Sequence, residues 1–345
     1  MDRIVFPWHD TPWRRLTARA GALPHAMLLR GRSGLGKTEL ALRFAGWLLC
    51  EAQPKPAQAA CGRCPACNWF AQNNHPDFRR VEPEALAESA APEAEAASEG
   101  ATSGRSAAKP SRQIKVDQIR ALGDFLAVGT HRAGVRIALV RPAEAMNAST
   151  ANALLKALEE PPPKTLFLLV SSQPARLLPT IRSRCQAIDV PTPPPEEALV
   201  WLRAQGVTAP EDALAYTGHA PLAAAVESGY SELREAFVSS FSSGFEPVTA
   251  VDRWQRFGNG EVVDALQKWV FDGVQLRVGG TPRYFPGHGG TIAASLGHAS
   301  TTALTAFARR LAKARGEALH PLNPRLFLES LALELARLNE APHVR

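Results

Sequence analysis

The chain has no apolar run long enough to cross a bilayer. Among its longest is TLFLLV at 165–170, and a helical span needs about 20 residues. The opening segment, MDRIVFPWHD, has nothing like the apolar centre of a secretion signal. Cytoplasmic residence with no membrane partner is therefore the expectation. Cysteine is scarce, five in 345 residues, and four of the five lie between Cys50 and Cys67. That clustering excludes a spread disulfide framework and points to a metal site in a reducing compartment. Runs of lysine and arginine are also missing. The net charge of +6 is scattered, with few aromatics among the cations, so nucleic-acid contact is permitted but not demanded. Finally, no Asp-Glu pair follows the apolar run IALV at 137–140; the next residues are Arg141 and Pro142.

What is present is an alternation of short apolar runs and helical periodicities. AMLLR (26–30) reads as a strand and TELALRFAGWLL (38–49) as a helix. Residues 84–110 are Ala, Glu, Ser and Gly with almost nothing to bury, and read as a disordered surface insertion. In 114–128, Ile114, Ile119, Leu122 and Leu126 share one helix face. RIALV (136–140) is a buried type of strand. Ser149 or Thr150 is placed to cap the helix TANALLKALEE, which the prolines at 161–163 stop. TLFLLV and AIDV (187–190) complete the strand set. Such alternation implies an α/β domain with a parallel sheet covered on both faces. PTPPP (191–195) then resembles a hinge. Beyond it the chain is Leu- and Ala-rich with helical periodicity, and its last helix opens with Asn323 as N-cap and Pro324 at the first position.

Gly31, Gly34, Gly36, Lys37 and Thr38 satisfy G-x-x-x-x-G-K-[ST] between that first strand and helix. The glycines let backbone N–H groups curl around phosphate oxygens. Lys37 reaches the terminal phosphates and Thr38 offers its hydroxyl to magnesium. Binding of ATP or ADP with magnesium is the expectation. Hydrolysis is not, because a later strand should end in carboxylates that hold the metal and activate water. Arg141, in its plainest reading a solvated surface charge, stands there instead, and Glu144 would need an unusual turn to take over.

Cys50, Cys61, Cys64 and Cys67 form C-x10-C-x2-C-x2-C. The C-x2-C spacing lets a tight turn present two sulfurs to one ion, and Gly62 and Pro65 suit such turns. Four thiolates close a zinc tetrahedron with no open position, so the site is expected to be structural.

NALLKALEEPP (152–162) followed by TLFLLVSSQPARLLPTIRSRC (165–185) closely resembles the clamp-loader branch of the AAA+ proteins. With the cysteine cluster and IKVDQIR, it is most similar to the delta-prime family of bacterial DNA polymerase III subunits. The resemblance is dense over about 1–195 and weaker beyond. It implies a RecA-like P-loop domain at 1–191 with the zinc module at 50–67 inserted, a small helical lid at 192–236, and an all-α collar domain at 237–345. It also implies a rigid stator in a complex that loads a sliding clamp onto primed DNA, with motor and delta-type subunits as partners. Ser183, Arg184 and Cys185 match the family's Ser-Arg-Cys motif, whose arginine enters the ATP site of the adjacent motor subunit. The sensor stretch of the motor subunits corresponds to Gly218-His219-Ala220-Pro221, without its arginine, and Ser171 or Ser172 sits at the position of a polar sensor. Two competing readings are a self-sufficient ATPase motor of the same branch and a zinc-dependent DNA-binding module.

Overall fold

The computed structural model describes residues 5–52, 59–89, 110–130, 134–242, 244–318, 320 and 322–339, and the chain divides into two compact units, Met1–Thr192 and Pro193–Arg345. In the first, the elements in chain order are α1 (Asp10–Thr17), β1 (Ala26–Arg30), α2 (Lys37–Leu49), α3 (Pro65–Ala71), β2 (Phe78–Val81), α4 (Glu84–Ser89), α5 (Val116–Ala127), β3 (Arg136–Val140), α6 (Ala148–Glu159), β4 (Thr165–Ser171), α7 (Pro179–Arg184) and β5 (Gln186–Asp189). The strands make one parallel sheet in the order β2-β3-β4-β1-β5.

Side chains alternate across a strand, so a strand apolar at every position buries both faces. Met27, Leu29, Ile137, Leu139, Leu166 and Leu168 face one layer with Trp13, Leu16, Leu40 and Phe44. Ala26, Leu28, Ala138, Val140, Phe167 and Leu169 face the other with Leu122, Leu126, Leu154 and Leu158. The α/β class expected from the alternation is the one observed.

Four local readings need correction. β2 is a strand that the sequence hid, because two of its four residues are arginines. It lies at the sheet edge, where Phe78 is in register with Ile137 and the arginines need not be buried. Ile114 is buried with the α5 face but is not helical. It precedes the helix, and its N–H donates to Ala145 O across 3.1 Å. The cap of α6 is Asn147, whose Oδ1 accepts from Thr150 N at 2.9 Å. Ser149 and Thr150 lie inside the first turn, where Thr150 instead donates its hydroxyl to Ile114 O at 3.1 Å. Of the low-complexity stretch 84–110, Glu84–Ser89 is helical and 90–109 lies outside the described residues.

The second unit contains α8 (Pro195–Ala204), α9 (Pro210–Tyr216), α10 (Pro221–Ala225), α11 (Glu227–Ser242), α12 (Pro247–Trp254), α13 (Asn259–Arg277), α14 (Gly289–Leu296), α15 (Thr301–Glu317) and α16 (Pro324–Asn339), with no strand among the described residues. A small cluster of Ala198, Leu202, Val207, Leu214 and Ala224 gathers α8 to α10. A larger one around Phe237, Trp254, Trp269 and Phe285 gathers the later helices. Asp272 is fully buried in that second cluster's helix α13, and its carboxylate accepts the N–H groups of Arg283, Tyr284 and Phe285 at 2.7–2.9 Å, which ties the α13–α14 connection down. Asn323 does cap α16, with its Oδ1 accepting from Arg325 N at 3.1 Å and Leu326 N at 3.2 Å. No described helix is long and apolar enough to cross a membrane.

Candidate functional site

In a parallel sheet all strand ends lie on one edge, and ligands bind beyond them. β1 ends at Arg30, and the loop carrying Gly31, Gly34 and Gly36 leads directly into α2, whose first residues are Lys37 and Thr38. The loop is held from a side the sequence did not advertise. Phe6 stacks on Trp8 with ring centroids 5.0 Å apart, and Trp8 Nε1 donates to Leu35 O at 3.0 Å. His9 Nε2 lies 2.8 Å from the same oxygen. Burial lowers His9 to about 4, so the ring is neutral at pH 7 and Nε2 carries the donated proton. Gly36 has φ 76°, and a Cβ there would sit 2.6 Å from the Phe6 ring; a Cβ on Gly31 would sit 2.4 Å from Val190 O. Packing of this chain against itself therefore requires both glycines, independently of any phosphate.

Lys37 is buried, and its Nζ donates to Arg32 O at 2.5 Å. Burial pulls the ammonium down to about 8, while the carboxylates of Glu144 and then Glu39 act in the opposite direction. The lysine expected to reach terminal phosphates is thus folded onto its own loop.

Arg141 is not a solvated charge. Its Nε and Nη2 both lie 2.6 Å from Glu82 Oε2, and Arg80 Nε is 3.1 Å from Glu82 Oε1. Glu82 is buried, so it carries two guanidinium partners just past the end of edge strand β2. A 3₁₀ turn, Ala143–Ala145, follows Pro142, and Glu144 Oε1 accepts from Ser172 N at 2.9 Å. Its other oxygen, Oε2, is buried and has no hydrogen-bond partner among the described residues. Of the two sensor candidates, Ser171 is buried, with Oγ accepting from Gln173 N at 3.2 Å, and Ser172 meets Glu144 through its backbone.

The structure brings all four clustered cysteines together. Their sulfurs lie within 4.8 Å of one another, and Cys61 Sγ is 3.9 Å from Cys67 Sγ. Cys50 directly follows α2, Cys64 caps α3 ahead of Pro65, and Cys67 lies within α3, so the cluster joins two helix termini. The Arg63 and Cys64 backbone N–H groups hold the Cys61 thiol down at about 6, whereas burial pushes Cys67 up to about 12. Four convergent thiols with this spacing could hold a metal ion. Cys185 belongs elsewhere: it is buried in the opposite sheet face's core, and burial raises it to about 12.

Arg184 closes α7, immediately before Cys185 and the start of β5. Its Nη1 donates to Thr180 O at 3.1 Å and its Nη2 lies 2.8 Å from Glu159 Oε1, with 35% of the side chain exposed. It thus stands at the edge where strands begin, opposite the edge holding Lys37. Gly218 and His219 both have positive φ, 67° and 65°, just before Pro221 opens α10.

Residues 13–194 match the family model described as DNA polymerase III, delta subunit. The chain is 43% identical over 225 residues to DNA polymerase III subunit delta' of Pseudomonas aeruginosa, a stretch covering 64% of this chain and 60% of that protein. It is 32% identical over 211 residues to the Escherichia coli subunit of the same name, covering 61% and 55%. It thus spans less than two thirds of the length of either relative. Among solved structures, a DNA polymerase III gamma subunit-related protein of Thermotoga maritima aligns with a TM-score of 0.48 at 17% identity, over 95% of this chain and all of the other. Since its family model covers more than half of the residues, the chain belongs to the DNA polymerase III delta subunit family.

Proposed function

We propose that this chain is a clamp-loader subunit of the delta-prime type. It acts as a stator that helps an ATP-dependent assembly load a sliding clamp onto primed DNA in the cytoplasm. Its partners are motor and delta-type subunits, with clamp and DNA reached through the assembly. In this reading 192–236 is a lid and 237–345 a collar domain that holds the ring together. The four cysteines hold one structural zinc. A Zn–S distance of about 2.3 Å requires sulfurs about 3.8 Å apart in a tetrahedron, close to the Cys61–Cys67 separation of 3.9 Å. The Gly31–Thr38 loop holds ATP or ADP, whose magnesium would meet the Thr38 hydroxyl and whose phosphates would meet the loop N–H groups and Lys37. Hydrolysis by this chain is negligible.

The observation that carries the stator reading is the position of Arg184. Its own phosphate loop lies across the sheet, and strands of four to seven residues separate the two edges by roughly 13–23 Å. An extended arginine side chain does not span that, so this half-exposed guanidinium serves a phosphate brought by a neighbour. It stays charged and presents a planar fork that lysine cannot copy. The experiment is Arg184→Ala in a reconstituted clamp loader, with assembly, DNA-stimulated ATPase and clamp loading all measured. Arginine fingers contribute roughly 10³–10⁵ in rate. The whole assembly loses less, because its other active interfaces keep their own arginines. A variant that assembles and loads clamps at the wild-type rate refutes the role. ATP turnover by the isolated chain that Lys37→Ala abolishes would favour the motor reading instead.

A further inference from the structure

We infer that Glu144 is the acidic partner of the divalent cation that accompanies a nucleotide in the Gly31–Thr38 loop. The inference rests on the nucleotide-binding reading above and names the residue that reading lacked. β3 and β4 are neighbours, and β4 pairs with β1, so the turns leaving β3 and β4 lie beside the loop leaving β1. Arg141 turns the first residue after β3 outward to Glu82, and the 3₁₀ turn Ala143–Ala145 then carries the next acid back. Glu144 is fixed there by the Ser172 N–H, and its charge is felt by Lys37.

The carboxylate has one oxygen in use and one buried oxygen without a partner among the described residues. A buried carboxylate oxygen requires a proton donor or a cation. A hydrated magnesium ion held by phosphates supplies both, and magnesium in nucleotide sites is commonly held by one carboxylate and retained waters. Glu39, the other acid acting on Lys37, lies on the first turn of α2 and has no buried unpartnered oxygen among the described residues. A single available oxygen also fits the proposed separation of binding from hydrolysis. One oxygen can hold the cation's water shell, but with its partner oxygen committed to Ser172 the group does not also serve as the base for an attacking water.

The test uses the full-length chain, a fluorescent ADP analogue, and Mn²⁺ as a spectroscopic substitute for magnesium. Glu144→Gln keeps an acceptor for the Ser172 N–H and removes only the charge. The variant is expected to bind the ADP analogue as wild type does in EDTA, and to lose the enhancement that magnesium gives wild type. Mn²⁺ binding in the presence of ADP, read by electron paramagnetic resonance, should weaken about 10- to 100-fold. Glu144→Asp, which keeps the charge but withdraws it by one methylene, should fall between the two. Unchanged Mn²⁺ affinity in both variants overturns the inference. So does tighter ADP binding by Glu144→Gln with and without metal, which would make Glu144 an internal counter-anion of Lys37. If wild type itself binds no ADP, the nucleotide reading fails and the inference with it, and only that failure appears without mutation.

Discussion

Glu159 Oε1 lies 2.8 Å from Arg184 Nη2, and a second N–H of the same guanidinium is held by Thr180 O at 3.1 Å. Glu159 is the last residue of α6 and Arg184 the last of α7, so two helix ends fix the direction of one half-exposed arginine. An exposed ion pair contributes at most about 1 kcal/mol, or roughly fivefold in an equilibrium. Glu159→Gln in a reconstituted assembly should therefore slow clamp loading about two- to fivefold, well short of Arg184→Ala. Combined with Arg184→Ala it should add nothing further. A double variant that loses both effects additively would show that Glu159 acts on something other than Arg184.

The cysteine cluster gives a separate prediction. Purified chain should carry one zinc, and Cys64→Ser should carry almost none, because a three-thiolate remainder leaves the ion open to chelators. The variant should also expose the backbone of Pro65–Ala71 to hydrogen exchange, since Cys64 and Cys67 link that helix to Cys50 at the end of α2. Cys185→Ser should keep its zinc, because that thiol is buried in another core. Equal zinc in wild type and Cys64→Ser would refute the assignment.

How much of this could be read from residues alone follows from how local each signal is. The phosphate loop, the cysteine spacing, the Asn323 cap and the buried strands β1, β3 and β4 each occupy a short contiguous stretch whose chemistry is self-contained. β2 escaped because its stability comes from pairing with β3 rather than from its own composition, Phe-Arg-Arg-Val. Glu144 was named and set aside, because nothing in a linear pattern announces the 3₁₀ turn that follows Pro142. The clasp of Phe6, Trp8 and His9 on Leu35 and Gly36 joins positions nearly thirty residues apart. In the sequence these looked only like an unremarkable start.

Arg136 and Asp77 form the most deeply buried ion pair described in the first unit, with 2% and 1% of their side chains exposed and Nε 3.8 Å from Oδ1. Arg136 also donates to the carbonyls of Phe125 and Gly129, so it binds the start of β3 to the end of α5. Asp77→Ala leaves the guanidinium buried without its counter-ion, which typically costs about 3–5 kcal/mol. Urea unfolding followed by tryptophan fluorescence, to which Trp13 and Trp47 of the same unit contribute, should show that loss. A cost below about 1 kcal/mol would mean that the two carbonyls alone satisfy Arg136.

Lys37 gives a pH dependence with two opposite signs. Burial holds its ammonium at about 8, below the ordinary 10.5. Between those values the unfolded chain binds more protons than the folded one, so the contribution of this group to stability increases as pH rises through that window. Nucleotide affinity should move the other way. Phosphates favour the charged lysine, so binding above about pH 8 requires uptake of a proton, and affinity should fall toward tenfold per pH unit as pH rises. Below pH 8 the lysine is already charged and affinity should be flat. Lys37→Arg remains charged throughout and should lose the slope, whatever its absolute affinity. The measurement is binding of a fluorescent ADP analogue between pH 7 and about 9.5, with ionic strength fixed because exposed phosphate contacts are screened by salt. An ordinary, exposed lysine would leave affinity unchanged up to pH 9.5. That result would mean that Lys37 leaves its contact with Arg32 O and reaches solvent before it meets the nucleotide.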